Sequence, residues 1–493
     1  MRILMVTPEA YPYAHSGGLA EVISALAQTL VSLGHEVEVV LPLYRQVQET
    51  GRPLTYTGHT LSIPLSWKNL PAKIFTAEME PHLRFYFIAQ DALFNRDGLY
   101  GTAYGNFEDN AERFIFFSRA VVEMMEALEM DCDICHCHDW QTGLVPVYLR
   151  TLYSERPRFQ RMATVYTVHN VGYQGLFSSY DLPLTGLGWE LLSPKALEFY
   201  GHLNFMKGGL VFADLLNTVS SKYREEIQTP EYGFGLEGLF QERARELYGI
   251  LEGVDYLRWD PGQDTFLEVP YDREHLEGKQ ACKIALEKRF GLNLQPDKPL
   301  LGMTTRFFER KGIDLVEQIL DDLMALPVGF VIQGTGEERH QYLLREIANR
   351  YPEKIGLEIN YSEELAHQII AGTDIFLMPS RFEPCGLDQL YCLRYGTIPV
   401  VRATGGLDET VQEYDPQSGA GTGFKFSGYT PAELMAAVRR ALALYQNRPA
   451  WKALMRENMA LDHSWINTAG PKYAELYRLA VEKRQRLLGG KFP

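Results

Sequence analysis

A run from Asp131 to Gly143, DCDICHCHDWQTG, gathers three cysteines, two histidines and three aspartates, residue types that bind metals or move protons. Its first part, CDICH, has the spacing of a haem-attachment motif. The run also fits a buried strand along which the cysteines alternate, so they cannot all face one metal ion. Zinc bound through His136 and His138 stays open, but no second CxxC or HxxxH supplies further ligands. Small buried cysteines are therefore the preferred interpretation.

Two predicted strands end in polar groups. The strand ICHCH ends at His138 and is followed by Asp139, and the strand ATVYTVH ends at His169. Ligand sites of open α/β sheets lie at the carboxyl ends of the strands, so we expect His138 and Asp139 to face a cleft. A single histidine at a strand end is more commonly a hydrogen-bonded structural residue. A second polar strand end beside it favours a functional role for His169.

Two basic residues lie across one loop in the second half of the chain. Arg306 and Lys311 belong to TTRFFERKG, which follows the predicted strand PLLGM and precedes a helix. In a chain of net charge −15, two cations at a strand end suit a diphosphate. An exposed charged loop is the alternative interpretation.

A carboxylate, Glu383, lies at the start of a predicted helix in PSRFEPCGLDQL. There it can hydrogen-bond sugar hydroxyls, offset charge on a reacting sugar, or stabilise the helix dipole. Cys385 lies close to the same helix N-terminus, where a thiol can be reactive. The sequence carries no Cys-His-Asn signature of a cysteine hydrolase.

Two glycine pairs occur in similar settings, SGGLAEVI with Gly17 and Gly18, and TGGLDETV with Gly405 and Gly406. Each pair places flexible backbone amides before a helix, where free N–H groups and the helix dipole attract anions. In two facing domains both pairs would point into one cleft. The alternative is two tight turns, since a Gly pair alone is weak evidence.

Short apolar runs alternate with amphipathic helical runs along the chain, from RILMVT and GGLAEVISALAQTLVSLG to TIPVVRA and PAELMAAVRRALALY. This alternation predicts parallel sheets and the α/β class. With 493 residues, two doubly wound domains fit better than one. The segment TPEYGFGLEGLF predicts a loop, and we place the domain boundary near residues 241–250.

Composition and charge limit the classes of protein. A net charge of −15 argues against a nucleic-acid binder with basic patches. The N-terminus, MRILMVTPEA, has neither the apolar core nor the cleavage site of a signal peptide. No run approaches the 18 apolar residues of a membrane span. We therefore expect a cytoplasmic protein with reduced thiols and without membrane or nucleic-acid partners.

Several motifs, in order, resemble those of bacterial glycogen synthases and plant starch synthases: HCHDWQTG, TVHNVGYQG, TPEYGFGLEG, TRFFERKG and PSRFEPCGLDQLYCLRYGTIPVVRATGGLDETV. The resemblance implies the GT-B fold, two Rossmann-like doubly wound domains facing a deep interdomain cleft. It also implies transfer of glucose from ADP-glucose to the non-reducing end of an α-1,4-glucan (glycogen), with retention and without metal or other cofactor. Residues 1–245, joined by the C-terminal helix 470–493, are then the acceptor side, and residues 246–469 the nucleotide-sugar side.

The resemblance also assigns roles to residues. Arg306 and Lys311 bind the diphosphate and stabilise the leaving ADP. Asp139 and His169 contact the glucose near the reacting carbon, and Glu383 binds its hydroxyls and stabilises positive charge on the ring. The other substrate-binding positions that it implies are His15, Gly17, Gly18, Tyr361 on the adenine, Cys385, Thr404, Gly405 and Gly406.

Two positions depart from the family pattern. His15 stands where the family has lysine, and Glu252 stands where the family commonly has asparagine. Histidine is mostly neutral at pH 7, and an added carboxylate near an anionic donor is unfavourable unless it is turned away or meets a ribose hydroxyl. These departures keep two alternatives open, a related glucosyltransferase that uses UDP-glucose or a different acceptor, and a weakly active glucan-binding or priming protein. The oligomeric state is not set by the sequence.

Overall fold

The computed structural model describes residues 1–102 and 105–489 and divides into two compact units. The first unit comprises Met1–Val219, Arg224–Gly253 and Trp465–Pro493, and the second comprises Ser220–Tyr223 and Val254–Ser464.

The strands of the first unit range from 2 to 13 residues. In chain order they are β1 (Arg2–Val6), β2 (Glu36–Pro42), β3 (Thr55–Leu65), β4 (Lys68–Glu80), β5 (Leu83–Ala89), β6 (Gly101–Thr102), β7 (Gly105–Asn106), β8 (Ile134–His138), β9 (Ala163–Val168), β10 (Leu176–Ser178), β11 (Glu198–Phe199), β12 (His202–Asn204), β13 (Leu215–Thr218) and β14 (Leu247–Gly249).

Nine of these strands form one sheet in the order β14-β13-β9-β8-β1-β2-β5-β4-β3. The strands from β14 to β5 run parallel, whereas β4 and β3 are antiparallel to their neighbours. The sequence predicted only the parallel part. The antiparallel edge was not predicted because β3 and β4 carry many polar, exposed positions and lack the continuous apolar run of a buried strand.

The strand order of this sheet explains why the boundary between the two units lies later in the chain than predicted. Strand β14 pairs in parallel with β13, so residues 246–253 belong to the first unit and not, as predicted from the loop composition, to the second. The π-helical turn Trp465–Ala469 also belongs to the first unit.

The helices of the first unit are α1 (Leu19–Ser32), α2 (Arg45–Glu49), α3 (Asp91–Phe94), α4 (Asn110–Ala127), α5 (Leu144–Arg150), α6 (Pro157–Arg161), α7 (Leu182–Thr185), α8 (Phe205–Phe212), α10 (Glu237–Glu242) and α19 (Gly470–Gly489), with α9 (Ser221–Glu226) starting in the second unit. Helix α1 ends where the sequence predicted, because Gly34 adopts φ 85° and donates its N–H to Val31 O at 2.8 Å.

Helix α19 is bound to the sheet of the first unit by buried hydrogen bonds. Its Tyr477 hydroxyl lies 2.8 Å from His136 Nδ1, and its Tyr473 hydroxyl accepts from Asn217 Nδ2 at 3.0 Å. The end of the chain is thereby attached to strands β8 and β13.

The second unit is a six-stranded, all-parallel sheet in the order β17-β16-β15-β18-β19-β20. Its strands are β15 (Leu300–Phe307), β16 (Gly329–Gly336), β17 (Ile355–Glu358), β18 (Ile375–Met378), β19 (Ile398–Arg402) and β20 (Phe424–Phe426). Its helices are α11 (Glu277–Phe290), α12 (Ile313–Met324), α13 (Glu338–Arg350), α14 (Glu363–Gly372), α15 (Asp388–Tyr395), α16 (Gly405–Thr410), α17 (Pro431–Gln446) and α18 (Arg448–Met459).

This sheet carries a separate hydrophobic core on each face. Ile375 and Leu377 of β18 belong to one core, and the intervening Phe376 belongs to the other. Successive side chains of a strand point to opposite faces, so a strand covered on both sides must be apolar throughout. The doubly wound prediction for this half of the chain therefore follows from its continuous apolar strands.

In the described part of the chain, no helix is both long and apolar enough to cross a membrane.

Gly312, at the start of α12, is closely packed against neighbouring backbone in the second unit. Its φ is 76°, and a Cβ added there would lie 2.1 Å from Pro379 O. Gly291, after α11, has a similar φ of 64° but open space around it. We expect Gly291→Ala to lower the free energy of unfolding by about 1 kcal/mol, the cost of the left-handed backbone. Gly312→Ala should cost about 3 kcal/mol or more, because backbone must also move.

Urea denaturation of both variants measures this difference. Equal losses for the two variants would show that the contact with Pro379 relaxes at no cost.

Candidate active site

The carboxyl ends of β8 and β9 bring Asp139 and His169 together, as predicted. Asp139 N–H donates to Thr167 O at 3.0 Å, and Asp139 Oδ1 accepts the backbone N–H of His169 at 2.8 Å. Asp139 has φ 56° and ψ −179°, a conformation that non-glycine residues rarely adopt. Burial raises the pKa of Asp139, while the charge of His169 and the N–H groups of His169 and Asn170 oppose that rise. The strained backbone is therefore kept in place by the hydrogen bonds of its own carboxylate.

Both ring nitrogens of His169 are engaged. Nδ1 lies 3.2 Å from Glu252 Oε1, and Nε2 lies 3.1 Å from His138 Nδ1. Burial opposes a charge on this ring. The hydrogen bond that His169 donates to Glu252 and the charges of Asp139, Glu252 and Glu9 outweigh burial and raise the pKa of His169. His169 thus lies among three carboxylates.

His138 does not face an open cleft, contrary to the prediction. The His138 side chain is fully buried. Its ring packs against the ring of His169 and against that of His136, with 3.9 Å between the ring centroids of His136 and His138. Burial, together with the neighbouring histidines, lowers the pKa of both His136 and His138 well below the ordinary value. These two rings are neutral at pH 7.

The cysteines of the same strand are arranged differently from the prediction. Cys135 and Cys137 are two residues apart, so they share one face of β8, with their sulfurs 3.8 Å apart. Cys132 precedes the strand and contacts Glu38. Among the residues that the structure describes, no three His, Cys, Asp or Glu side chains are arranged to hold a metal ion.

The first glycine pair, Gly17 and Gly18, lies on an exposed loop that leads into α1. Glu9, a buried carboxylate that follows β1, holds this loop by hydrogen bonds. Glu9 Oε2 accepts the N–H of Ser16 at 2.5 Å, and Oε1 accepts the hydroxyl of Ser16 at 2.7 Å. His15 is exposed, and its backbone N–H donates to Gln46 Oε1 at 3.0 Å.

The predicted residues of the second unit all follow strands of its parallel sheet. Arg306 lies at the carboxyl end of β15 and is exposed, and Lys311 lies in the 3-10 turn just beyond it. Glu383 follows β18, Thr404 follows β19, and Tyr361, 55% exposed, follows β17. Because these strands run parallel within one sheet, their carboxyl ends place the five residues along one edge of that sheet.

Lys311 and Glu383 form an ion pair at this edge. Lys311 Nζ lies 2.6 Å from Glu383 Oε2, and the Ser380 hydroxyl donates to the same oxygen at 3.0 Å. Glu383 is buried, whereas the Lys311 side chain is 27% exposed. The Lys311 side chain is therefore partly open to solvent, while one carboxylate oxygen fixes the position of its ammonium group.

The second glycine pair packs directly on the backbone after Glu383. A Cβ on Gly405 would lie 1.9 Å from Glu383 O, and one on Gly406 would lie 1.9 Å from Cys385 O. The N–H of Gly406 already donates to Glu383 O at 3.2 Å and Pro384 O at 3.1 Å. This close approach by itself requires glycine at both positions. The predicted donation of the Gly406 amide to a ligand competes with these bonds.

Two supporting groups were missed in the sequence. Glu9 and Ser380 each lie just beyond a buried strand, β1 and β18, so the rule that identified Asp139 and His169 could have identified them. The partnership of Glu252 with His169 leaves no comparable signal, because 83 residues separate them.

Two family models match the chain, starch synthase catalytic domain over residues 2–242 and glycosyl transferases group 1 over residues 285–457. The chain is 45% identical over 484 residues to a glycogen synthase from Koribacter versatilis, covering 98% of this chain and 99% of that protein. It is also 45% identical over 490 residues to a glycogen synthase from Moorella thermoacetica, covering 98% of each.

Solved structures show the same likeness. The catalytic domain of starch synthase IV from Arabidopsis thaliana, bound to ADP and acarbose, matches with a TM-score of 0.91 and 32% identity, covering 97% of this chain and 99% of that chain. A sucrose-phosphate synthase from Thermosynechococcus elongatus matches with a TM-score of 0.60 and 17% identity, covering 97% and 98%, which is a likeness of fold alone.

The hydrogen bonds of Asp139 predict how its variants fold. Asp139→Ala removes the acceptor for the N–H groups of His169 and Asn170 and should lower the free energy of unfolding by about 3 kcal/mol. Asp139→Asn keeps an acceptor oxygen, and asparagine tolerates positive φ, so the loss should stay near 1 kcal/mol. Urea denaturation measures both.

The exposed Asp131, changed to Ala, is the control and should alter the stability by no more than about 0.5 kcal/mol. If Asp139→Asn were as unstable as Asp139→Ala, the charge and not the acceptor would hold the loop.

Proposed function

This chain belongs to the glycogen synthase and starch synthase family of glycosyltransferases, and we propose that its glucose donor is ADP-glucose and its acceptor an α-1,4-glucan. The predicted GT-B fold, glycosyltransferase class and glycogen synthase function are confirmed by its relatives at 45% identity and by the starch synthase structure. The choice of ADP-glucose is supported by the ADP in that related structure. A cytoplasmic location stays a prediction.

The ion pair of Lys311 with Glu383 carries the proposed reaction. The Lys311 side chain is 27% exposed, and its ammonium group is held 2.6 Å from a buried carboxylate, at the same sheet edge as Arg306. In this proposal both cations bind the diphosphate and stabilise the negative charge that grows on it as the bond to glucose breaks. Because Lys311 is already oriented, it needs little rearrangement when that charge develops.

Glu383 serves the sugar in this proposal. Its Oε2 holds Lys311 and Ser380, and in the described part of the chain its Oε1 accepts no hydrogen bond, so Oε1 is the oxygen assigned to a glucose hydroxyl. The carboxylate also favours the positive charge that develops on the ring. A glycosidase-type retention needs a second carboxylate as nucleophile, and the partners of Glu383 are instead an ammonium and a hydroxyl.

We therefore assign a front-face transfer. The bond from the anomeric carbon to the diphosphate oxygen breaks, and the acceptor hydroxyl oxygen bonds to that carbon on the same face. The hydroxyl proton passes to the leaving diphosphate, which Lys311 and Arg306 stabilise. The configuration is retained without a covalent enzyme intermediate.

In the first unit, Asp139 and His169 are assigned to the glucose side of the donor. Asp139 offers a carboxylate oxygen to a hydroxyl, while His169, with both ring nitrogens engaged, acts through its position and charge. The remaining assignments are the implied ones. Tyr361 stacks on the adenine, Cys385 lines the pocket, and His15 takes the place of the family's lysine. The other substrate-binding residues hold the nucleotide sugar: Gly17, Gly18, Thr404, Gly405 and Gly406.

Glucose transfer to glycogen by the purified protein, with radiolabelled ADP-glucose and UDP-glucose in parallel, tests the donor. We expect kcat/KM for ADP-glucose to exceed that for UDP-glucose by about tenfold or more, a difference of about 1.4 kcal/mol. Preference for UDP-glucose would contradict the proposed donor and point to the changes at His15 and Glu252. Transfer from neither would favour a glucan-binding protein.

The role of Glu383 predicts the kinetics of a conservative variant. Glu383→Gln keeps the shape but removes the charge that orients Lys311, so kcat should fall about a hundredfold. The KM for the donor should change much less, because Arg306 and Lys311 still bind the diphosphate. Steady-state kinetics with ADP-glucose measures both.

Glu246→Gln is the matched control. Glu246 pairs with Lys483 and Arg243 and precedes β14, at the amino ends of the parallel strands of the first unit. Loss of these two ion pairs should leave kcat unchanged within about twofold. If the Glu383→Gln enzyme were as active as the wild type, the assignment of Glu383 to the active site would be wrong.

A further inference from the structure

Glu252 is buried and faces His169. Its side chain is 6% exposed, and its Oε1 lies 3.2 Å from His169 Nδ1. The sequence left open whether this added carboxylate is turned away from an anionic donor, and the structure shows it behind the imidazole of His169. We propose that Glu252 is a positioning residue that keeps His169 as a fixed imidazolium, and that this cation keeps Asp139 ionised during glucosyl transfer. The inference rests on the proposed role of Asp139 at the glucose.

The groups around His169 come from three strands of the first unit and the residues that follow them. Glu9 follows β1, and Glu252 follows β14. His136 and His138 lie in β8, and Asp139 follows that strand. The two histidines are held neutral by burial, so the three carboxylates surround a single ring that can carry charge. Each carboxylate favours the imidazolium form of His169.

The two contacts of the His169 ring are compatible with an imidazolium. In that form His169 donates Nδ1–H to Glu252 Oε1 and Nε2–H to the lone pair on His138 Nδ1. His138 then carries its own proton on Nε2, which has no partner among residues 1–102 and 105–489. Within the described residues His138 Nε2 lacks a partner in either tautomer, so it does not decide the direction of the contact with His169. The carboxylate of Glu252 at Nδ1 is the contact that favours the imidazolium form.

An asparagine at position 252 would supply an acceptor without charge. Burial would then favour the neutral imidazole of His169. The pair Glu252–His169 adds no net charge relative to that arrangement. It separates charge, placing a cation beside Asp139 and the balancing anion behind it. The cation lowers the pKa of Asp139 against the effect of burial, so the carboxylate stays available to a sugar hydroxyl.

The proposal predicts a change in the pH range of activity. Removing the charge of Glu252 lets the pKa of His169 fall, so the alkaline limb of kcat moves to lower pH. Glu252→Gln should therefore narrow the pH range from the alkaline side, with about a tenfold loss of kcat for each pH unit that this limb moves.

The titration of His169 is measured directly by NMR on protein labelled with 13C in its histidine rings. His169→Asn identifies the resonance. We expect the midpoint of His169 to be lower in Glu252→Gln than in the wild type, and to be largely restored in Glu252→Asp, which keeps the charge. Because Glu252→Asp retains a buried carboxylate, it still reports the effect of this charge on the His169 midpoint if Glu252→Gln does not fold.

Glu317→Gln is the control, because Glu317 faces another buried histidine, His340, at 2.8 Å in the second unit. It should leave both the His169 midpoint and the pH profile unchanged. An equal His169 midpoint in wild type and Glu252→Gln would overturn the proposal, and so would a shifted midpoint with an unchanged pH profile.

Failure of the proposed function gives a different result. If the wild type transferred no glucose from either donor, the kinetic part would fall with that function. The NMR midpoints would still decide whether Glu252 controls the charge of His169.

Discussion

Burying a carboxylate is unfavourable unless a cation or several hydrogen-bond donors face it, and this constraint shapes both units at the ends of their parallel strands. Glu383 meets the ammonium of Lys311, Glu252 meets the imidazole of His169, and Asp139 meets two backbone N–H groups. Each pairing gives a carboxylate that follows a strand a fixed partner within the same unit. The groups assigned to the donor are thus held in place by the partners that make their burial tolerable, before any substrate binds.

The backbone satisfies the same constraint in a different way. In the second unit, Gly405 and Gly406 come within 1.9 Å, measured from an added Cβ, of the carbonyl groups that follow β18. Only a residue without a side chain allows this approach, and the N–H of Gly406 then satisfies two carbonyl oxygens of the loop that carries Glu383. The glycine pair thereby supports the carboxylate sterically and through hydrogen bonds, and its sequence motif has a structural cause as well as the proposed functional one.

The charge distribution explains how an acidic chain can act on an anionic donor. The net charge is −15, yet Arg306 and Lys311 lie together at one sheet edge, and the charge of Lys311 is directed by Glu383. In the first unit, the imidazole of His169 lies among the carboxylates at the ends of β1, β8 and β14. Local pairing, and not the overall charge, therefore sets the electrostatic potential that a sugar nucleotide meets in either unit.

The sequence by itself determined the buried parallel strands, the helices between them, the end of α1 at Gly34 and the polar strand ends with Asp139 and Lys311, because hydrophobic periodicity and capping are local properties of the chain. Its motifs also determined the family. Only the tertiary structure decided that β14 joins the first sheet, that His138 is buried, and that Glu252 lies against His169. These outcomes depend on strand order and on loops that bring residues 83 positions apart into contact, and no pattern of neighbouring residues records which partners will meet.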